Sequence, residues 1–289
     1  MNVETARIDP LDWDGSGIRC GGVVMEGHEF LTSLQARNIE TEFSRWELLK
    51  RAFVITSVNI AELKLHLAPV SFRFREKPEG PRSWAEENIL PDTFRLEKGS
   101  IDSLSVSYGE AGRLYVLDGA RVESAYDAGS SQYRFDVRGG KLLLPFQGCP
   151  EFSLMSGTAQ FNHSSRRVNI PSCRLTTDAG GYLDIKGDWD GSSSSWTANV
   201  VVNGVPVSSI LEDHWRKHVH GSVSGGIDLR GGRDGVTHVA GLARLQGGML
   251  TGLPVLDRLA LFCGSSRFRN LPLHLSLIHI SEPTRRSYI

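Results

Sequence analysis

The strongest constraint on the fold of this chain is an alternation of apolar and polar residues that recurs along most of its length. Tyr133, Phe135 and Val137 alternate with Arg134 and Asp136. Because successive side chains of a β-strand point to opposite faces of a sheet, this period predicts a strand with one apolar and one polar face. Three further runs with the same period contain Leu104, Val106 and Tyr108, then Leu183 and Ile185, then Ile227 and Leu229. We therefore expect a mainly β fold.

Short turn segments separate the alternating runs. Residues 128–130, 178–181 and 189–192 combine glycine with aspartate, alanine or serine, and they fall between predicted strands. Breaks this short connect antiparallel neighbours. The pattern predicts a long antiparallel meander in which each strand has one face in water.

One predicted strand changes its alternation part-way along. Its apolar residues are Val58, Ile60, Leu63, Leu65 and Leu67. The parity shifts once, after Ile60, and one extra residue in a strand produces such a shift. We expect a β-bulge near Ala61.

Three short helices interrupt the β pattern, and we predict them at residues 46–51, 210–219 and 254–263. A serine placed three residues before a glutamate, the spacing of a capping box, opens each of the first two. In the second helix this pair is Ser209 and Glu212. The third helix begins at Pro254, because proline is favoured in the first helical turn.

Composition divides the chain into four segments. Residues 73–93 are rich in charge and proline and lack a strand period, which predicts a polar linker. This linker separates a first β segment, residues 1–72, from a longer β region, residues 94–274. Residues 275–289 form a separate tail.

Charge and cysteine content limit the partners that the sequence predicts. The formal net charge is −1, so no basic field favours nucleic acid or an anionic membrane surface. The four cysteines are scattered without a CxxC pair, which predicts neither a zinc site nor a thioredoxin-type motif. Buried free thiols, or a disulfide such as Cys149 to Cys173, are both compatible with their spacing.

His214 and His218 are the residues whose spacing best fits a metal site. Four residues apart on a helix, they would share one face, as zinc ligands often do. Trp215 stands where an HExxH motif has its glutamate, and the adjacent Arg216 and Lys217 disfavour a bound cation. A solvated helix end, where the helix dipole favours histidine, explains the cluster better.

The sequence contains no nucleophile elbow and no phosphate-binding loop. Asp184, Asp188, Asp190 and Asp228 alternate with apolar residues, as the solvated face of a strand does. We therefore expect no catalytic residue, no cofactor and no metal, in a protein that is not an enzyme. No run reaches the roughly 18 apolar residues of a transmembrane helix, and residues 1–14 do not have the pattern of a signal peptide.

Two stretches carry a recognisable order of glycine, leucine and tryptophan. The first comprises residues 3–8, 17–20 and 34–39, then residues 47–50 and the predicted strand 55–67. The second comprises Ser208-Ser209-Ile210-Leu211, Trp215 and residues 219–225, followed by Gly247-Gly248-Met249-Leu250-Thr251-Gly252-Leu253-Pro254-Val255-Leu256. These stretches resemble the N-terminal repeat and the C-terminal region of the AsmA-like family. In that family a G-x-(L/V)-x-G strand precedes a G-G-x-L-x-G-L-P-x-L turn from strand to helix.

The resemblance implies an elongated, curled antiparallel β-sheet, groove-like, similar to those of TamB and of bridge-like lipid transfer proteins. It assigns residues 1–72 to the N-terminal segment and residues 94–274 to a truncated C-terminal β-groove region. It also implies the periplasm of a diderm bacterium and anchoring in the inner membrane, since family members usually begin with a membrane-spanning helix. That helix is missing from this sequence, so we expect a fragment.

The function that the resemblance implies is to shield or conduct lipid acyl chains between membranes, in outer-membrane biogenesis or lipid homeostasis. The expected partner is a phospholipid or another acyl-chain lipid. Each buried CH₂ contributes about 0.8 kcal/mol, so about 14 methylenes gain on the order of 10 kcal/mol before ordering costs. The candidate residues that line a groove or core are Leu104, Val106, Tyr108, Tyr133, Phe135, Val137, Leu183, Ile185, Ile227 and Leu229.

Two other functions are compatible with the sequence. One is a structural or interaction β-scaffold of the periplasm without lipid cargo, and a closed, dry core would distinguish it from a lipid groove. The other is a carbohydrate-binding or hydrolytic β-solenoid, which carboxylate pairs clustered on one open face would favour.

The tail has a resemblance of a different kind. Residues 275–285, LSLIHISEPTR, resemble the conceptual translation of the transposase mosaic-end adapter used in sequencing libraries. We therefore expect that residues 275–289 do not belong to the evolved sequence.

Overall fold

The computed structural model describes residues 3–27, 31–44, 47, 52–68, 93–110, 113–145, 151–162, 164–211, 213–232, 235–263, 265–266, 270–273 and 276–277. Most of these residues lie in strands, so the predicted mainly β fold is confirmed. Contacts divide the chain into two compact units, Met1–Gly140 and Lys141–Ile289. The predicted linker, residues 73–93, lies outside the described residues except for Thr93, and the four-segment division stays a prediction.

Nine strands make up the described part of the first unit. They are β1 (Val3–Ile8), β2 (Leu11–Trp13), β3 (Gly17–Gly27), β4 (Leu31–Phe43), β5 (Ala52–Leu67), β6 (Thr93–Leu96), β7 (Lys98–Glu110), β8 (Arg113–Asp127) and β9 (Gln132–Arg138). Strands β1 and β2 both pair with β3, and β3, β4 and β5 follow as antiparallel neighbours. Strands β7, β8 and β9 are again antiparallel.

The pairing of β5 departs from the predicted antiparallel meander. Strand β5 runs parallel to both β6 and β7. A parallel pair needs a connection of a dozen or more residues, and the chain between β5 and β6 is longer than that. The parallel pairing of β5 therefore interrupts the predicted antiparallel meander.

The predicted β-bulge near Ala61 is wrong. Strand β5 stays in register with β4 at this level, with Arg37 opposite Glu62 and Ile39 opposite Ile60. Asn38, which lies between these two β4 residues, has a left-handed φ of 50°. Apolar positions also step by three residues in the neighbouring strands, at Cys20 to Val23, Ala36 to Ile39 and Ile101 to Leu104. The strands on both sides of β5 change the parity of their apolar residues at the same level. Apolar residues therefore stay opposite one another without an inserted residue in β5.

The second unit contains nine strands and three helices within its described residues. The strands are β10 (Lys141–Leu143), β11 (Phe152–Asn162), β12 (Arg167–Thr177), β13 (Tyr182–Asp190), β14 (Ser195–Pro206), β15 (Val219–Gly232), β16 (Gly235–Thr251), β17 (Asn270–Leu273) and β18 (Ser276–Leu277). The helices are α1 (Val207–Ile210), α2 (Asp213–Arg216) and α3 (Pro254–Phe262). Each strand from β10 to β16 pairs antiparallel with the next, and β16 also pairs with β17 and β18.

The helices differ from prediction in one place. Residues 210–219 do not form one helix: two single-turn helices, α1 and α2, replace it, and Val219 begins β15. Ser209 is not a cap, because its Oγ donates a hydrogen bond to the Pro206 carbonyl at 2.7 Å, and Pro206 occupies the N-cap without a side-chain bond. Helix α3 confirms the prediction of a helix at 254–263, and it ends one residue early. The predicted helix at 46–51 lies outside the described residues except for Glu47, which is helical.

The buried side chains are small in number and mostly small in size. Among the described residues the apolar ones are Cys20, Ala36, Val54, Ala120, Val122, Phe152, Leu154, Leu175, Val205, Val207, Leu256 and Ala260, and the polar one is Thr177. No large side chain in the described part of the chain is below 2% exposed. Each unit therefore buries its apolar side chains incompletely.

Candidate functional site

Antiparallel register aligns apolar side chains into rows across the second unit. One row runs Cys173, Ile185, Val200 and Ile227 on strands β12 to β15, and a second runs Leu154, Leu175, Leu183 and Val202 on strands β11 to β14. Leu229 lies opposite Ala198 on β14 and Val239 on β16. Because directly opposed residues of paired strands share a face, these rows form one surface, the apolar face of the second unit. The predicted residues Leu183, Ile185, Ile227 and Leu229 all belong to it.

The first unit has its own rows. Leu104 lies between Leu63 and Ala120, Val106 between Leu65 and Leu117, and Tyr108 between Leu67 and Tyr115. Val137 extends a row through Val122, Ile101, Ile60 and Ile39. The other two predicted residues, Tyr133 and Phe135, stack with ring centroids 6.4 Å apart, and Tyr126 lies 4.9 Å from Tyr133.

Exposure shows what kind of surface these ten residues form. Nine of them are half-buried, and Tyr108 is exposed at 40%. A side chain in a close-packed core is almost fully removed from water. These ten residues thus form neither a dry core nor an open surface, and they leave apolar area accessible in both units.

The opposite face of the second unit is polar and internally paired. Arg174 makes two hydrogen bonds to Asp184, Nε to Oδ1 and Nη2 to Oδ2, both of 2.7 Å. This pairing lowers the pKa of Asp184 and raises that of Arg174. Asn169 bonds Asp188 at 2.6 Å, Arg167 bonds Asp190 at 3.2 Å, and Asn199 bonds Asp228 at 2.8 Å. The four aspartates thus line the polar strand face, as predicted, and each has a cross-strand partner.

Two cavities lie among polar side chains. A cavity of about 260 Å³ in the first unit is lined by Ser33, Gln35, Lys64, His66, Ser105 and Ser107, together with Leu65, Val106 and Val116. A cavity of about 320 Å³ in the second unit is lined by Ser156, Ser172, Cys173, Arg174, Asp184, Ile185 and Lys186. Burial raises the pKa of the Cys173 thiol. Of the ten predicted residues, Val106 and Ile185 line these two cavities.

No pattern in the sequence indicates the first cavity. Its polar residues belong to β4, β5 and β7, and parallel pairing of β5 with β7 brings His66 opposite Ser107, which lies 41 residues further along the chain. Only knowledge of that register would have placed Ser33, His66 and Ser107 in one line.

The histidine cluster does not have the geometry that its spacing suggested. Helix α2 ends at Arg216, so His218 does not share a helix with His214. His218 Nδ1 lies 2.9 Å from the Thr251 carbonyl oxygen, and His220 Nε2 lies 3.0 Å from Thr251 Oγ1. Within the described ranges, no three potential ligands are grouped closely enough to hold a metal ion.

Cys20, Cys173 and Cys263 are free thiols, and Cys149 lies outside the described residues. Where the structure describes the chain, none of its helices has the length and apolar character needed to cross a membrane.

Comparison with known proteins found none that is similar to this chain. No protein-family model matches the chain, and no curated protein or solved structure is significantly similar to it. The likeness to the AsmA-like family therefore rests on the sequence patterns alone.

Proposed function

We propose that this chain is an AsmA-like, non-enzymatic protein of the bacterial periplasm that holds phospholipid acyl chains on its apolar faces. The observation that carries the proposal is the set of apolar rows in the second unit, which continue across strands β11 to β16 and are half-buried except at the buried Leu154 and Leu175. An acyl chain laid on such rows would remove methylene groups from water at about 0.8 kcal/mol each.

Burial favours this function over a closed scaffold. A scaffold without cargo would gain most from a dry core with large, fully buried side chains, and none of the large side chains described here is fully buried. The pairing of the carboxylates disfavours a hydrolytic solenoid, because Asp184 and Asp190 on β13 are each bonded to an arginine on the neighbouring strand β12. A catalytic pair needs one carboxyl group that keeps its proton, whereas a nearby guanidinium favours the ionised form.

Native mass spectrometry of the purified chain tests the proposal. We expect phospholipid to co-purify with the wild-type protein. Val200→Lys places a charge within the row formed by Ile185 and Ile227, and it should remove the bound lipid.

Val201→Lys is the matched control, because Val201 is the next residue, points to the other face and is 41% exposed. This variant should keep the lipid. Absence of lipid from the wild-type protein, or equal loss in both variants, would contradict the proposal.

A further inference from the structure

Polar side chains from three neighbouring strands line the cavity of the first unit. We call its six polar residues, Ser33, Gln35, Lys64, His66, Ser105 and Ser107, the polar cleft. They form two rows, Gln35–Lys64–Ser105 and Ser33–His66–Ser107, with members directly opposite one another on β4, β5 and β7. Strand alternation directs the side chains of Leu65 and Val106 to the other face of the sheet, although both residues also border the cavity, so the six polar side chains and the apolar rows occupy opposite faces.

Hydrogen bonds fix three of the six side chains of the polar cleft, His66, Ser105 and Ser107. His66 Nδ1 lies 2.6 Å from Ser107 Oγ, and the Ser107 hydroxyl is 3.4 Å from the carbonyl oxygen of Leu65. This contact fixes the imidazole ring, and because the Ser107 hydroxyl hydrogen goes to the Leu65 carbonyl oxygen, His66 Nδ1 is the donor to Ser107 Oγ. Ser105 donates its hydroxyl hydrogen to Asp118, which lies beside the cleft and does not line it.

The charge of the cleft comes from Lys64. Its ammonium group contacts Glu62 Oε1 at 2.8 Å, and Glu62 Oε2 also accepts a hydrogen bond from Arg37 Nη1 at 3.3 Å. Two cations therefore share one carboxylate, which leaves one positive charge among the three residues. An ammonium group has three donor hydrogens, so Lys64 retains donors after pairing with Glu62.

We propose that the polar cleft binds the phosphate group of a small soluble ligand. The Ser33 hydroxyl, the Gln35 amide and the Lys64 ammonium group supply hydrogen-bond donors there, no carboxylate lines the cavity, and a volume of about 260 Å³ accommodates a phosphate with a few further atoms. The ligand is not a lipid lying on the apolar rows, because those rows are on the opposite face. The proposal does not depend on the lipid-binding function.

Titration of the full chain with inorganic phosphate tests the proposal. The signal to follow is the Cε1–Hε1 resonance of His66 in a two-dimensional NMR spectrum, because it reports contact at the imidazole ring. We expect a saturable shift, and we expect Lys64→Gln to weaken binding about tenfold through loss of a charge-assisted hydrogen bond. Ser107→Ala, which releases the His66 ring, should also weaken binding.

Lys98→Gln is the control, since Lys98 is exposed, lies outside the cleft and gives the same change in net charge. It should leave the affinity unchanged. The proposal is overturned if phosphate leaves the His66 resonance unmoved, or if Lys98→Gln weakens binding as much as Lys64→Gln does.

Discussion

At the scale of single residues, Asp14 shows how one side chain fixes a turn between β2 and β3. Its Oδ1 accepts hydrogen bonds from the backbone N–H groups of Ser16 and Gly17 and from the Ser16 hydroxyl, each of 2.9 Å. These bonds favour the ionised carboxylate, the Ser16 N–H bond most of all, and lower the pKa of Asp14 to about 2.

Asp14 should therefore make stability depend on pH in a defined window. The pKa of an aspartate in an unfolded chain is about 3.9. Asp14 therefore contributes its full stabilisation of the folded state above that pH, and this contribution is lost as the pH falls towards 2. An NMR titration of the Asp14 Cγ resonance should give a midpoint near 2. Ser16→Ala removes one donor and should raise that midpoint part of the way, whereas a wild-type midpoint near the ordinary aspartate value would refute this account of the turn.

At the scale of elements, the hairpin between β12 and β13 depends on two adjacent glycines with different surroundings. Gly180 and Gly181 have φ values of 97° and 79°. A Cβ on Gly180 would meet no atom within 4 Å, whereas one on Gly181 would lie 2.6 Å from the backbone of Gly204 and from Val205 Cα. Both positions disfavour a side chain by conformation, and Gly181 also leaves it no space.

Alanine substitution should separate these two effects. Gly180→Ala should lower the free energy of unfolding by about 1–2 kcal/mol, the cost of a left-handed residue. Gly181→Ala should cost about 1–3 kcal/mol more, because β14 must move to admit the methyl group. Urea denaturation of both variants measures the difference, and equal losses would show that the backbone of Gly204 is not a barrier.

Local patterns predicted the elements whose cause is local. Alternation identified the strands that carry Phe135 and Ile185, and Pro254 marked the start of α3. The bulge near Ala61 was wrong because the parity step of β5 is matched by its neighbours, which are not visible in one strand's sequence. The capping prediction at Ser209 failed because its hydroxyl bonds back to Pro206. The polar cleft was missed because it exists only through the register of three strands.

At the scale of the whole molecule, both units expose part of their apolar rows. In the first unit Tyr108 and Tyr115 are 40% and 39% exposed, and the rows of the second unit are half-buried apart from Leu154 and Leu175. A folded protein with accessible apolar surface binds hydrophobic dyes without first losing its tertiary structure, unlike a molten globule.

The native chain should therefore bind anilinonaphthalene sulfonate with an increase in fluorescence while its near-UV circular dichroism stays unchanged. Addition of a short-chain phospholipid should displace the dye, since both occupy the apolar rows. Val200→Lys should reduce the fluorescence more than Val201→Lys. Dye binding that appears only together with loss of the near-UV signal would mean that the rows are covered in the native state.

The pairing of each strand from β10 to β16 with its sequence neighbour also bears on how such a protein folds and evolves. Contacts of this kind are short in sequence, so stability approximates a sum of interfaces between adjacent strands, and folding can start at any hairpin and spread in both directions. Duplication or loss of a whole hairpin would preserve strand direction and leave the remaining interfaces intact. The number of strands is then a quantity that selection can adjust in steps of two.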